Sequence, residues 1–290
     1  MNTKKANRLF DAIIYLILTV AVLACVIPFL HIMSKSLSSN EAVMTQKVIL
    51  LPVNFTMDAY QRVIGDVTMV RSLLLSVGIT VLFTIVGMFI TICLAYPLSR
   101  KRFKGKRIFL ILVLFTLYFN GGIIPNFINI FELKLYNTIW ALILPLALSP
   151  YNMIILITFF QQSVPESLEE SAKLDGCSHI GILTKIFIPL SLPALATLSL
   201  FYAVGRWNAF SDALFYITDR TLYPIQLKLY YLVNAMGTAE TLDSAGSSAQ
   251  LAPDVLKSAA VMFATIPILL FYPWLQRYFV TGITIGAVKG

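Results

Sequence analysis

Between Leu73 and Ser99 the chain carries no Asp, Glu, Lys or Arg. As a helix rising about 1.5 Å per residue, that run is about 40 Å long, more than the roughly 30 Å of hydrocarbon in a bilayer. Five further apolar runs lie at 10–33, 108–131, 138–160, 186–204 and 255–274. No soluble core absorbs so many. Hydrophobic residues make up 58% of the chain and charged ones 12%, against about 45–50% and about 25% in soluble domains. The expectation is an all-α polytopic membrane protein of six transmembrane helices in one domain, with no separate water-soluble part. The basic opening (Lys4, Lys5, Arg8) resembles a secretory leader, but the run behind it is too long and no Ala-x-Ala site closes it. We read it as a retained first helix, bent near its outer end by Pro28.

Charge sets the orientation. Arg100-Lys-Arg-Phe-Lys-Gly-Lys-Arg107 packs six cations between two apolar runs, so it belongs on the inner side of the membrane. With both termini inside, thirteen of the 22 Lys and Arg residues lie on inner segments, and the whole net charge of +8 is there. That accounts for the basic balance without nucleic acid. The inner loop 161–185 then faces the cytoplasm, and the outer loop 205–254 is aromatic in its first half and small and polar in its second. The stretch 34–70 is long enough for short helices on the outer surface. In the third run, Asn120-Gly-Gly122 followed by Pro125 forms a break, with a pore-lining bend and a packed kink both open.

Loop 161–185 interrupts the apolar sequence with Pro165-Glu-Ser-Leu-Glu-Glu-Ser-Ala-Lys-Leu-Asp-Gly-Cys-Ser178. Ser163 with Glu166 reads as a capping box with Pro165 in the first turn, so a helix is expected from near Val164 to Gly176. Helical spacing places Leu168, Ser171, Ala172 and Asp175 on one face, with Glu169, Glu170 and Lys173 flanking it. A second short helix is expected from Ser178 to Lys185.

Glu170-Ser171-Ala172, Asp175-Gly176-Cys177 and Ile186-Phe-Ile-Pro189 together resemble the EAA loop of type I ABC-importer permeases, with Ser171 and Cys177 where alanine is commonest. The ending Gln276-Arg-Tyr-Phe-Val-Thr-Gly-Ile-Thr-Ile-Gly-Ala-Val-Lys-Gly290 is similar to MalG-like carbohydrate permeases. Tyr96-Pro-Leu-Ser-Arg100, Phe119-Asn-Gly-Gly-Ile-Ile-Pro125, Ala203-Val-Gly-Arg-Trp-Asn208, Tyr223-Pro-Ile-Gln-Leu227 and Tyr272-Pro-Trp-Leu-Gln276 resemble the LplC/YtcP subgroup, assigned to complex oligosaccharides such as aldouronates. The resemblance implies the MetI-like permease fold in a bacterial cell membrane, multi-pass, with both termini cytoplasmic. It implies that Glu166, Glu169, Glu170, Ala172, Asp175 and Gly176 couple to an ATPase, with Glu169, Glu170 and Asp175 pairing with basic groups on that motor. The implied partners are a second permease, two ATPase copies that bind the ATP and magnesium, a lipid-anchored sugar-binding protein, an oligosaccharide and membrane lipid. It also brings the tail residues Ala287, Val288, Lys289 and Gly290 to the motor.

Rival classes find less support. There is no His-Glu-x-x-His, Gly-x-Ser-x-Gly or Gly-x-x-x-x-Gly-Lys-[Ser/Thr], and Cys25, Cys93 and Cys177 have no metal-site spacing. The chain is therefore not read as an enzyme, and no cofactor is expected in it. A secondary transporter, the alternative beside a non-sugar ABC permease, keeps ionisable groups deep in its spans, and the span centres here have none. For the translocation path the expected residues are Tyr118, Asn120, Trp207 and Asn208, aromatic and amide groups suited to sugars.

Overall fold

The computed structural model describes residues 3–234 and 252–287, and among them the regular structure is all helical. The chain divides into two compact units. One comprises residues 1–70 and 229–266 and begins with α1 (Thr3–Ser36), whose apolar surface is exposed from Phe10 to Pro28. Pro28 lies inside α1 without ending it. In the last turn of α1 and just beyond it, buried serines tie the chain back on itself. Ser34 Oγ donates to the Leu50 carbonyl at 2.6 Å, Ser38 Oγ accepts from Val53 N at 3.0 Å, and Ser36 Oγ meets Tyr60 Oη at 2.8 Å. Two short helices follow, α2 (Asn40–Met44), capped by Ser39, and α3 (Asp58–Gly65), which buries Ala59 and Val63.

The other unit comprises residues 71–228 and 267–290. Most of α4 (Val67–Ser99), an uninterrupted helix of membrane-crossing length, lies in it. After the basic loop, α5 (Lys106–Tyr118) and α6 (Ile123–Glu132) meet at 116°, so the third apolar run is broken, not straight. Gly122 takes φ +90° at the break, and Asn120 Oδ1 accepts from Gly122 N at 2.9 Å. A side chain would strain that backbone, which is why the sequence has glycine there.

The fourth apolar run departs from the expected helix. One 3-10 turn (Ile139–Leu142) leads into irregular chain, and α7 starts only at Pro150 and runs to Ser163. Pro145 breaks the helical pattern, and Pro150 restricts Ser149 to extended backbone (φ −96°, ψ 111°) and sits at the first helical turn. Fourteen residues of helix are about 21 Å long, short of a bilayer crossing. Among the described residues three helices are, by length and composition, long enough to cross, and counting each bent pair as one span brings the number to five.

The fifth run is bent as well. After α8 (Glu166–Leu174) and α9 (His179–Ile182), a wide π-type turn over Leu183–Phe187 leads into α10 (Ile188–Leu190). The chain then turns by 83° into α11 (Leu192–Asn208), beside Pro189 and Pro193. Helices α12 (Ser211–Tyr216), α13 (Ile225–Asn234) and α14 (Pro253–Ala287) complete the chain. The core of this unit is built around Met153, Leu156, Phe160, Phe187 and Leu198, with Ala95 and Leu98 of α4. A Cβ on Gly87 would lie 2.9 Å from the Tyr202 ring and 3.0 Å from the Ala147 carbonyl, so glycine lets α4 approach α11 closely. The Tyr202 hydroxyl then joins Thr91 Oγ1 at 2.7 Å and Ser149 N at 3.0 Å.

Candidate functional site

The polar helix α8 ends as its sequence dictates. Gly176 takes φ +77°, Cys177 N donates to the Ala172 carbonyl at 2.9 Å and Gly176 N to the Lys173 carbonyl at 3.0 Å, a Schellman termination. Ser178 then caps α9, accepting from Gly181 N at 3.1 Å. The start differs from expectation. Ser163 is the last residue of α7, so it makes no capping box, and Pro165 is the residue before the helix rather than within it. Glu166 is thereby left free to turn elsewhere.

It turns to the basic loop. Lys101 Nζ lies 3.2 Å from Glu166, Arg102 Nη2 2.9 Å from Glu170, and Arg100 Nη1 3.1 Å from Glu169. The first two pairs are exposed and contribute at most about 1 kcal/mol each. The third is different. Arg100 and Glu169 are 12% and 10% exposed, and Lys173 Nζ approaches the same carboxylate at 2.5 Å. Arg100 also donates to the Phe160 carbonyl at 3.1 Å and to Ser99 Oγ at 2.9 Å, and its guanidinium lies 4.4 Å from the centre of the Phe187 ring. One side chain therefore joins the end of α4, the end of α7, α8 and the π turn. Burial raises the Glu169 carboxyl, but the hydrogen bonds and charges of Lys173 and Arg100 outweigh it and hold the group below its ordinary value.

This arrangement reorders the faces of α8. Glu169, Ala172 and Lys173 face inward, and Ala172 and Cys177 pack on the core. Leu168, Ser171 and Asp175, expected on one face with Ala172, are exposed instead. Leu174 and Ile180 are 89% and 75% exposed, so with Leu168 they form an apolar outer edge. Glu166, Glu169 and Glu170 have partners inside the chain, whereas the sequence reading gave Glu169, Glu170 and Asp175 basic partners on a motor. Sequence reasoning took Arg100, Lys101 and Arg102 as an orientation signal and missed their pairing. The signal available was two oppositely charged segments on the same side of the membrane.

The residues expected on a translocation path fall at two places in the chain, the α5–α6 break and the end of α11. Tyr118 is exposed at the end of α5, and Asn120 caps the break behind it. Trp207 is buried in α11, and the Asn208 amide donates to the Val204 carbonyl at 2.9 Å. No hydrogen bond or ring contact joins the two pairs. Ala287 closes α14, and Val288, Lys289 and Gly290 lie outside the described residues.

A second polar cluster surrounds Arg206. Its guanidinium forms a two-point pair with Asp212, at 3.0 Å for Nη2 to Oδ1 and closer for Nη1 to Oδ2, and donates to the Leu142 carbonyl at 2.8 Å. It thus anchors the irregular fourth run to α11 and α12. Beside it lies a cavity of about 440 Å³ lined by residues that include Ser149, Asn152 and Phe201. Among the described residues no group of His, Cys, Asp or Glu could hold a metal ion.

Long apolar helices joined by a polar, helical loop define a polytopic membrane protein. Residues 107–285 match the family of binding-protein-dependent transport system inner membrane components, and the chain belongs to that family. It is 45% identical over 285 residues to the polygalacturonan/rhamnogalacturonan transport system permease protein YtcP of Bacillus subtilis (strain 168), covering 98% of this chain and 99% of that one. Protein LplC of the same organism is 42% identical over 290 residues, covering 100% and 98%. The fold also matches a chain of the crystal structure of a bacterial ABC transporter involved in the import of the acidic polysaccharide alginate. The TM-score is 0.89 at 30% identity, with 96% of this chain and 99% of that one covered.

Proposed function

We propose that this chain is the membrane-spanning subunit of a binding-protein-dependent ABC importer for an oligosaccharide, coupled through α8 and α9 to a separate ATPase. The sugar is supported by the relatives, whose names include a polygalacturonan/rhamnogalacturonan permease, and by the alginate importer of the same fold. A second permease supplies the other half of the path, two ATPase subunits bind the ATP and magnesium, and a lipid-anchored binding protein delivers the sugar from outside. Both chain termini and the α8 loop face the cytoplasm.

The observation that carries the coupling mechanism is the buried Arg100–Glu169 lock. The outer edge of α8 and α9, with Leu168, Ser171, Leu174, Asp175 and Ile180, seats in the ATPase. The lock on the inner face passes each displacement to the feet of α4 and α7 and to the π turn below α11. Closure of the ATPase dimer on ATP moves these elements as one body and opens the path outward to the docked binding protein.

Co-purification with the ATPase tests this reading, comparing wild type with Leu174→Glu and Ile180→Glu. Both residues point outward and touch little of the core, so their substitution is expected to abolish association while the permease stays folded. Full association and uptake in the double variant would overturn the assignment.

A further inference from the structure

Asn152 is 5% exposed, yet among the described residues its side-chain amide has no hydrogen-bond partner. Its backbone N–H donates to Ser149 Oγ at 3.3 Å, which leaves the amide oxygen and both amide hydrogens unused. The amide is not sealed in protein either, because the buried side-chain atoms enclosed without a partner, among the described residues, are Tyr96 Oη and Ser191 Oγ. The open space it reaches is the cavity that it lines, of about 440 Å³, within the roughly 300–1,000 Å³ of small-molecule sites. Burying an amide without partners is unfavourable, and the fold gains nothing from it here.

The rest of the lining restricts the occupant. Tyr151 lines the cavity at the start of α7 and is 58% exposed. The Tyr202 hydroxyl is taken up by Thr91 and Ser149. Arg206 is the one charged residue of the lining, and Asp212 neutralises it through two contacts while the Leu142 carbonyl takes a further donor. The wall therefore offers an amide without a partner among the described residues and a hydroxyl beside the Tyr151 ring, with no free charge. An amide that both donates and accepts matches a pair of neighbouring hydroxyls, and a ring face matches the C–H side of a sugar. A carboxylate would find no counter-charge.

We propose that Asn152, with Ser149 and the ring of Tyr151, is a binding site in this subunit for the hydroxyl face of one sugar unit of the passing oligosaccharide, and not for a carboxylate. The site rests on the importer reading above and adds to it where the chain grips its cargo.

The test uses the whole importer in liposomes, driven by ATP. Its binding protein is loaded with radiolabelled arabino-oligosaccharide or oligogalacturonate. Asn152→Leu keeps the volume and removes the amide. It is expected to lower uptake about tenfold or more, the factor of about 1.4 kcal/mol in binding, while binding-protein-stimulated ATP hydrolysis persists and the melting temperature is unchanged or raised. Asn152→Gln should recover part of the uptake. Wild-type uptake by Asn152→Leu overturns the site. A lowered melting temperature also overturns it, because the amide would then be holding the fold. If the wild-type complex imports neither sugar, the importer reading itself fails and the site with it.

Discussion

Removing the Arg100 side chain should separate ATP hydrolysis from transport without removing the ATPase from the complex. Arg100→Ala deletes the contact to Glu169, the bonds to the Phe160 carbonyl and Ser99, and the cation over Phe187. Breaking a buried ion pair from one side costs about 3–5 kcal/mol. Here the lower end applies, because Lys173 still neutralises Glu169 at 2.5 Å. A loss of about 3 kcal/mol raises the population with α8 detached from α4 by roughly two powers of ten, enough to show in a steady-state assay. The outer edge of α8 is untouched, so the ATPase should still co-purify. The assay is sugar imported per ATP hydrolysed in liposomes, and the ratio should fall at least several-fold. Arg100→Lys keeps the charge but loses the planar fork, so it should fall between. The exchanged pair Arg100→Glu with Glu169→Arg should recover part of the ratio, since the contact is reciprocal. An unchanged ratio in Arg100→Ala would refute the lock as the transmission element, whatever its effect on stability.

Three further outcomes follow from the same geometry. Gly176→Ala forces a side chain into φ +77°, a strain of about 1–2 kcal/mol, although open space surrounds the position; amide hydrogen exchange should show the end of α8 fraying, with Gly176→Asn milder. The Glu169 carboxyl is held below its ordinary value, so its stabilisation is fully present above about 4.5 and is lost as pH falls through the lowered value. The melting-temperature difference between wild type and Glu169→Gln should be flat from neutral pH to about 4.5 and narrow only below it. Asp212→Asn leaves the Arg206 cation buried with a weakened partner and should cost about 3–5 kcal/mol in thermal unfolding, whereas the paired change Arg206→Met with Asp212→Leu should recover most of it.

Local signals in this chain were legible because their causes are local. Gly176 follows a polar helical stretch and ends it, and Ser178 caps the next helix, as their residue types require. The acidic loop and the membrane class were legible for the same reason. Other signals failed where two neighbours competed for one residue. Ser163 has the right spacing for a cap on α8, but the apolar pattern of α7 extends through it and takes it first. Apolarity also overstated the fourth run, where it speaks for membrane depth and says nothing of helicity across Pro145 and Pro150. Asn152 was hidden among apolar neighbours, and only a structure shows that its amide is buried without a partner among the described residues.

The lock was invisible for a further reason. Helical spacing put Glu169 on the flank of α8, and an acid on a polar helix is normally solvated. Its burial depends on Arg100, 69 residues away in the sequence. Once that pair is in place the remaining charges sort themselves, since Lys101 and Arg102 fall beside Glu166 and Glu170. The consequence bears on how the ATPase would be held. With three of the four acids of α8 and its turn matched inside the chain, the outer edge has Asp175, small polar residues and the apolar Leu168, Leu174 and Ile180. Shape and apolar contact then carry docking, while the charges carry the link to the membrane. In the proposed mechanism the coupling unit is therefore a knot of α8 with the ends of α4 and α7 and the π turn. The loop motif by itself marks half of it.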